Sequence, residues 1–106
     1  MMSERDSQVL ETFARRVRDR FPDARIWAFG SRARGDSEAA SDFDVCVVLE
    51  QKSADDETLL QHIAWEVAFD NGLVFNSLVF TSDELENGPM SEGTLKENIL
   101  REGIPA

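Results

Sequence analysis

Two aspartates one residue apart, Asp42 and Asp44, stand at the entrance of an otherwise apolar run, FDVCVVL at residues 43–49. On an extended strand alternate side chains share a face, so both carboxylates project the same way with their bases roughly 6.6 Å apart. Two like charges held so close raise one another's pKa and cost stability unless cations relieve them. Hard oxygen ligands select Mg²⁺, with Mn²⁺ as the alternative. A pair of such ions about 3.5–4 Å apart stabilises both the attacking and the leaving oxygen in phosphoryl or nucleotidyl transfer.

Ten residues separate Gly30-Ser31 from Asp42, and the pair directly follows the β-branched and aromatic segment ARIWAF. Glycine lets the backbone approach a phosphate with no Cβ in the way. The following N–H groups and the Ser31 hydroxyl can donate to phosphate oxygens, the more so if SRAR forms a helical turn. Arg32 and Arg34 add planar, permanently charged forks suited to the same ligand. The stretch from Gly30 to Asp44 thus offers a nucleotide-phosphate cradle, Gly30, Ser31, Arg32 and Arg34, joined to a catalytic metal clamp, Asp42 and Asp44. Asp36 and Ser41 are read as shaping the intervening loop.

These residues need rigid elements to hold them. Ser3 followed by Asp6, with Val9, Leu10, Phe13 and Val17 at helical spacing, predicts a helix over residues 4–20, stopped at Phe21-Pro22. A strand is expected over residues 24–30, and a central, helix-covered strand over 43–49. Ser53 opens a second helix with Leu60, Ile63, Ala64 and Val67 inward and Gly72 at its end. A third strand is expected over 73–81, then a short helix capped by Thr81 and Glu84 and closed by Gly88-Pro89. The last helix runs from Ser91 to about Glu102, with Leu95, Ile99 and Leu100 inward and Gly103 and Pro105 behind it. Strands alternating with helices predict a small α/β or α+β domain with a mixed sheet packed against helices. Cys46 reads as a buried core thiol, and His62 as a surface residue. Trp27, Trp65 and the phenylalanines read as core or interface packing.

Composition narrows the function classes. A chain of 106 residues, 42% hydrophobic and 30% charged, suits one soluble domain spanning 1–106. The start MMSERDSQ carries no export signal, so a cytoplasmic protein is expected, and no apolar run is long enough for a membrane span. The net charge is −10, but it is unevenly spread. Residues 1–35 hold eight Arg against five acids, and residues 36–106 hold three basic residues against sixteen acids. Stable nucleic-acid binding is not expected from such a balance. A nucleotide at the basic end and a basic protein partner elsewhere both suit it, as does plain solubility.

Gly30-Ser31, ten residues, and Asp42-Phe43-Asp44 together resemble the GS-x10-DxD signature of the DNA-polymerase-β-like nucleotidyltransferases. GSRARG…SDFDV is similar to the minimal nucleotidyltransferase branch, and the likeness continues through the strand at 73–81, SDEL and LREGIP. The resemblance implies a polymerase-β palm-like fold. It also implies ATP held at Gly30 and Ser31, and two Mg²⁺ ions, or Mn²⁺, at Asp42 and Asp44. AMP would pass to a hydroxyl, a tyrosine in this branch, of a partner HEPN ribonuclease toxin, with this chain as its antitoxin. The chain contains no Tyr, so such an acceptor lies on another protein. No further domain for an acceptor is expected in 106 residues. The family's third carboxylate, on a later strand, has no counterpart in LVFNSLVFT, which offers Asn76 and Ser77; Asp70, Asp83 and Glu50 are the alternative acids. Two other readings stay open: an antitoxin that neutralises by binding alone, and a transferase acting on a small molecule.

Overall fold

The computed structural model describes residues 2–35, 42–88 and 94–106. Ser3 starts α1 (Glu4–Arg20), its hydroxyl accepting the Asp6 N–H at 3.1 Å; Glu4 and Asp6 in the first turn and Arg18 and Arg20 in the last complement the helix dipole. Then follow β1 (Arg25–Phe29), the short α2 (Gly30–Arg34), β2 (Phe43–Leu49) and α3 (Ala54–Asn71). Ser53 and Asp56 close a reciprocal capping box at the start of α3, and Gly72 ends it in the left-handed region with φ +64°. The chain continues as β3 (Phe75–Thr81), α4 (Ser82–Asn87), α5 (Thr94–Glu102) and β4 (Ile104–Pro105). The predicted Thr81–Glu84 capping box is present at α4.

The sheet order is β3-β2-β1-β4. β1 runs antiparallel to β2 with Phe29 opposite Asp44, while β2 and β3 run parallel with Asp44 opposite Asn76. A parallel pair requires a crossover, which α3 supplies. β2 is therefore central, and Val45 through Leu49 are all buried. Alternation divides the strands between two apolar layers. Ile26, Ala28, Val45, Val47 and Val79 pack with Phe13 and Val17 of α1 and Leu60, Ile63 and Val67 of α3. On the other face Phe29, Cys46 and Val48 meet Leu85 of α4 and Ile99 of α5.

The structure departs from expectation in three places. β3 begins at Phe75, because the Leu73 N–H is spent on the Ala68 carbonyl in closing α3. Leu100 is 54% exposed, not inward; it sits one residue past the fully buried Ile99 and so about 100° round the helix. Ile104-Pro105, expected only to follow the helix stop, pairs antiparallel with Trp27 and Ala28 of β1. Proline is tolerated there because β4 is an edge strand. Pro89, Ser91 and the Leu95 side chain fall outside what is described, as do Asp36 and Ser41.

Burial pushes the Cys46 thiol up to about 12, overcoming the opposing pull of the Arg25 charge. Since the thiolate is the reactive form, the native protein should not react with iodoacetamide at mildly alkaline pH, and labelling should appear only on unfolding in guanidinium. Intact-mass measurement checks this; rapid labelling of the folded protein would contradict it. The sign for stability follows from the same shift. The thiol's contribution is complete below the ordinary pKa of 9.0 and is lost as pH rises from there toward 12, because only the unfolded chain ionises in that window.

Candidate active site

The antiparallel register sets the end of β1 beside the start of β2. Phe29 pairs with Asp44, so the next residue, Gly30, turns away directly over that carboxylate. Gly30 has φ +74°, a region side chains rarely adopt, and a Cβ built there would collide with Asp44 Oδ2. Asp44 Oδ2 thus lies against the bare face of a glycine. The other oxygen, Oδ1, accepts a hydrogen bond from Asn76 Nδ2 at 3.1 Å. Asp44, Asn76, Cys46 and Leu78 share one face of the sheet by strand alternation and register.

Ser31 is half-buried at the opening of α2, where the N-cap Phe29 offers no side-chain oxygen to the first N–H groups. Asp42 is exposed and immediately precedes β2. Gly30, Ser31, Asp42 and Asp44 therefore gather at one end of the β1–β2 pair. The two arginines separate. Arg34 is exposed, with Nη1 3.7 Å from Glu102 of α5. Arg32, expected as a phosphate-facing fork, is turned inward instead. It is buried, donates through Nη1 to both oxygens of Asp6 at 3.0 and 3.3 Å, and lies with its guanidinium carbon 5.9 Å from the centre of the Phe43 ring. The physical reason is the helical turn itself, which carries the Arg32 side chain from α2 across to α1, where a buried Asp6 needs a cation. Asp6, read from the sequence only as part of a helix start, is the residue that reasoning missed. An acid in a first turn is ordinary, and its partner lies 26 positions away.

Two of the alternative acids cannot complete the site. Glu50 follows the far end of β2 and accepts from Ser82 at 2.8 Å, while Asp83 follows the far end of β3 and accepts from Asn87 at 3.1 Å. Both lie a strand's length from Asp44, roughly 20 Å at 3.3 Å per residue. Asp70 is exposed in the last turn of α3, in the layer opposite Asp44. Among the described residues no three His, Cys, Asp or Glu side chains come together. The position beside Asp44 belongs to Asn76.

The donor set still suits a hard divalent cation. Two carboxylates, the Ser31 hydroxyl and the Asn76 amide oxygen, once that amide turns over, are all oxygen ligands. Asp44 Oδ2 takes up the space that a Cβ at residue 30 would need, so only glycine lets this carboxylate stand beside the turn.

A four-stranded mixed sheet that brings a Gly-Ser turn to an aspartate on the neighbouring strand, with helices on both faces, defines the protein as one of nucleotidyltransferase fold. It superimposes on the crystal structure of a Sulfolobus solfataricus protein that carries a provisional nucleotidyltransferase description. The TM-score is 0.59 at 20% identity, over 95% of this chain and 78% of the other. The family model for the nucleotidyltransferase domain matches residues 10–104, and the chain belongs to that family. Among curated proteins none matches in sequence. No helix among the described residues is long and apolar enough to cross a membrane.

Proposed function

We propose that the protein is a minimal nucleotidyltransferase that moves AMP from ATP, with Mg²⁺, to a hydroxyl of a partner protein. In this reading the partner is a HEPN-type ribonuclease toxin, the acceptor a tyrosine, and this chain the antitoxin. The observation that carries the transferase reading is the seat of Asp44, one oxygen against the bare Cα of Gly30 and the other fixed by Asn76. A carboxylate so held stands at the Gly30-Ser31 turn, where a phosphate and its cation would meet it.

Gly30 and Ser31 hold the β- and γ-phosphates, Arg34 adds charge near them, and Arg32 fixes α2 so that the turn keeps its shape. Asp42 and Asp44 hold Mg²⁺, which when bound neutralises charge developing on the phosphates. The acceptor oxygen forms its bond to the α-phosphorus in line as the bond from that phosphorus to the bridging oxygen breaks. Pyrophosphate leaves with the electron pair, and the acceptor proton passes to solvent at the exposed Asp42 end. The experiment is incubation with α-labelled ATP, Mg²⁺ and the product of the neighbouring gene. Covalent label on that protein is the expected result; its absence with an intact, bound partner would sink the reading.

Asn76 favours one rival, an antitoxin that acts by binding alone, since a neutral amide is a poor general base. Asn76→Asp separates the two. For a working transferase the change should raise label transfer by about 10²-fold, the scale of an added base, and tighten Mn²⁺ binding followed by electron paramagnetic resonance. A protein inert before and after the substitution that still neutralises its partner is a binder.

A further inference from the structure

β1 has a strand on either side, and each side brings an acid to the Gly30 turn. On the β2 side Phe29 pairs with Asp44. On the other side β4 runs antiparallel with Ile104 opposite Ala28, so counting back along the chain puts Gly103 beside Phe29 and Glu102 at the level of Gly30. Glu102 is the last residue of α5 and is fixed from both directions. Three positions before it Ile99 is fully buried, and the Ile99 carbonyl accepts the Gly103 N–H at 3.0 Å. Beyond it the Ala106 N–H donates to the Ile26 carbonyl at 3.0 Å, which fastens the end of the chain to β1. Helix stability gives no reason for an acid here, because the dipole opposes a carboxylate in a last turn.

What Glu102 meets is Arg34. Arg34 Nη1 and the Glu102 carboxylate stand 3.7 Å apart, a contact of charges beyond hydrogen-bond length between two exposed side chains. Arg34 has further interactions as well. On α2 it lies about 200° round from Arg32 and one turn beyond Gly30 and Ser31, so it stands on the side of the helix that carries the turn. The same guanidinium therefore has an acid of its own chain within reach and, in the transferase reading, the phosphates of ATP as well. A fork that touches one exposed carboxylate loosely exchanges it for a ligand of several negative charges. The carboxylate left behind then stands near those charges and repels them.

We infer that Glu102 is an internal counter-anion of the nucleotide site, a positioning residue that keeps Arg34 beside the Gly30-Ser31 turn and competes with the phosphates of ATP for it. The inference rests on the transferase reading above, and it makes α5 and β4 a restraint on how tightly the nucleotide is held. The test is calorimetric titration of ATP with Mg²⁺ into the wild type, Glu102→Gln, Arg34→Gln and the double variant, at low and at high salt. Both side chains are exposed, so all four proteins should share one melting point. Glu102→Gln is expected to bind about five-fold more tightly at low salt, with most of that gain screened away at about 0.5 M NaCl. Arg34→Gln should bind about ten-fold more weakly, and in its background Glu102→Gln should change the affinity by less than about two-fold, because the acid acts through the arginine. A Glu102→Gln protein that binds ATP as the wild type does, or more weakly, would overturn the inference. So would an equal gain in the Arg34→Gln background. A folded wild type that binds no ATP would remove the transferase reading too, so the two failures give different patterns.

Discussion

Asp44→Asn is expected to lower AMP transfer by about 10³-fold or more, with the thermal midpoint left within a degree or so of wild type, because the two effects arise from different properties of one side chain. Shape is retained: the amide oxygen of the replacement can still accept from Asn76 Nδ2, and the flat side chain still fits over Gly30. Charge is lost, and with it the attraction for a divalent cation. Mn²⁺ binding should therefore fall in parallel with activity. Asp42→Asn removes the same charge from an exposed position outside β2, so it should also suppress transfer with even less effect on folding. Gly30→Ala is the harsher case, since a methyl at φ +74° meets Asp44 directly and both stability and cation binding should suffer. A fully active, cation-binding Asp44→Asn protein would mean that the carboxylate pair has no part in the chemistry.

Much of this arrangement was open to sequence reasoning because its determinants are local. Gly30-Ser31 and Asp42-x-Asp44 lie on either side of one loop, and caps such as Ser3, Ser53 and Thr81 mark helix starts within three residues of their partners. What stayed hidden depends on register and layer. Asn76 could be seen as a missing acid, but that its amide grips Asp44 follows only from the parallel pairing of β2 with β3. Glu50 and Asp83 were equally good by residue type, and only strand length removes them. Ile104-Pro105 has no strand signature, since two residues carry no alternation and proline argues against pairing. Arg32 and Arg34 read alike in GSRARG, yet a separation of two on a helix turns them about 200° apart, one into the α1 interface and one outward.

That separation leads to the largest expected effect on stability. Arg32 and Asp6 are the charged residues buried among those described, at 6% exposure each, and they join α2 to α1. Arg32 makes interactions beyond this pair as well. Removing Arg32 leaves the Asp6 carboxylate inside the protein without this counterion, a change that costs about 3–5 kcal/mol. For a domain of this size that corresponds to a fall of roughly 12–30 °C in melting temperature. Arg32→Ala should show it by calorimetry. The double replacement Asp6→Leu/Arg32→Met, which removes both charges and keeps the volume apolar, should recover most of the loss, because the penalty lies in the orphaned charge more than in the missing bond. Transfer activity should divide the variants differently. The double variant regains the fold but not the fork that stands over Phe43 and fixes α2, so Gly30 and Ser31 are held less firmly and turnover stays reduced. An Arg32→Ala protein as stable as wild type would show that the pair is not buried in solution.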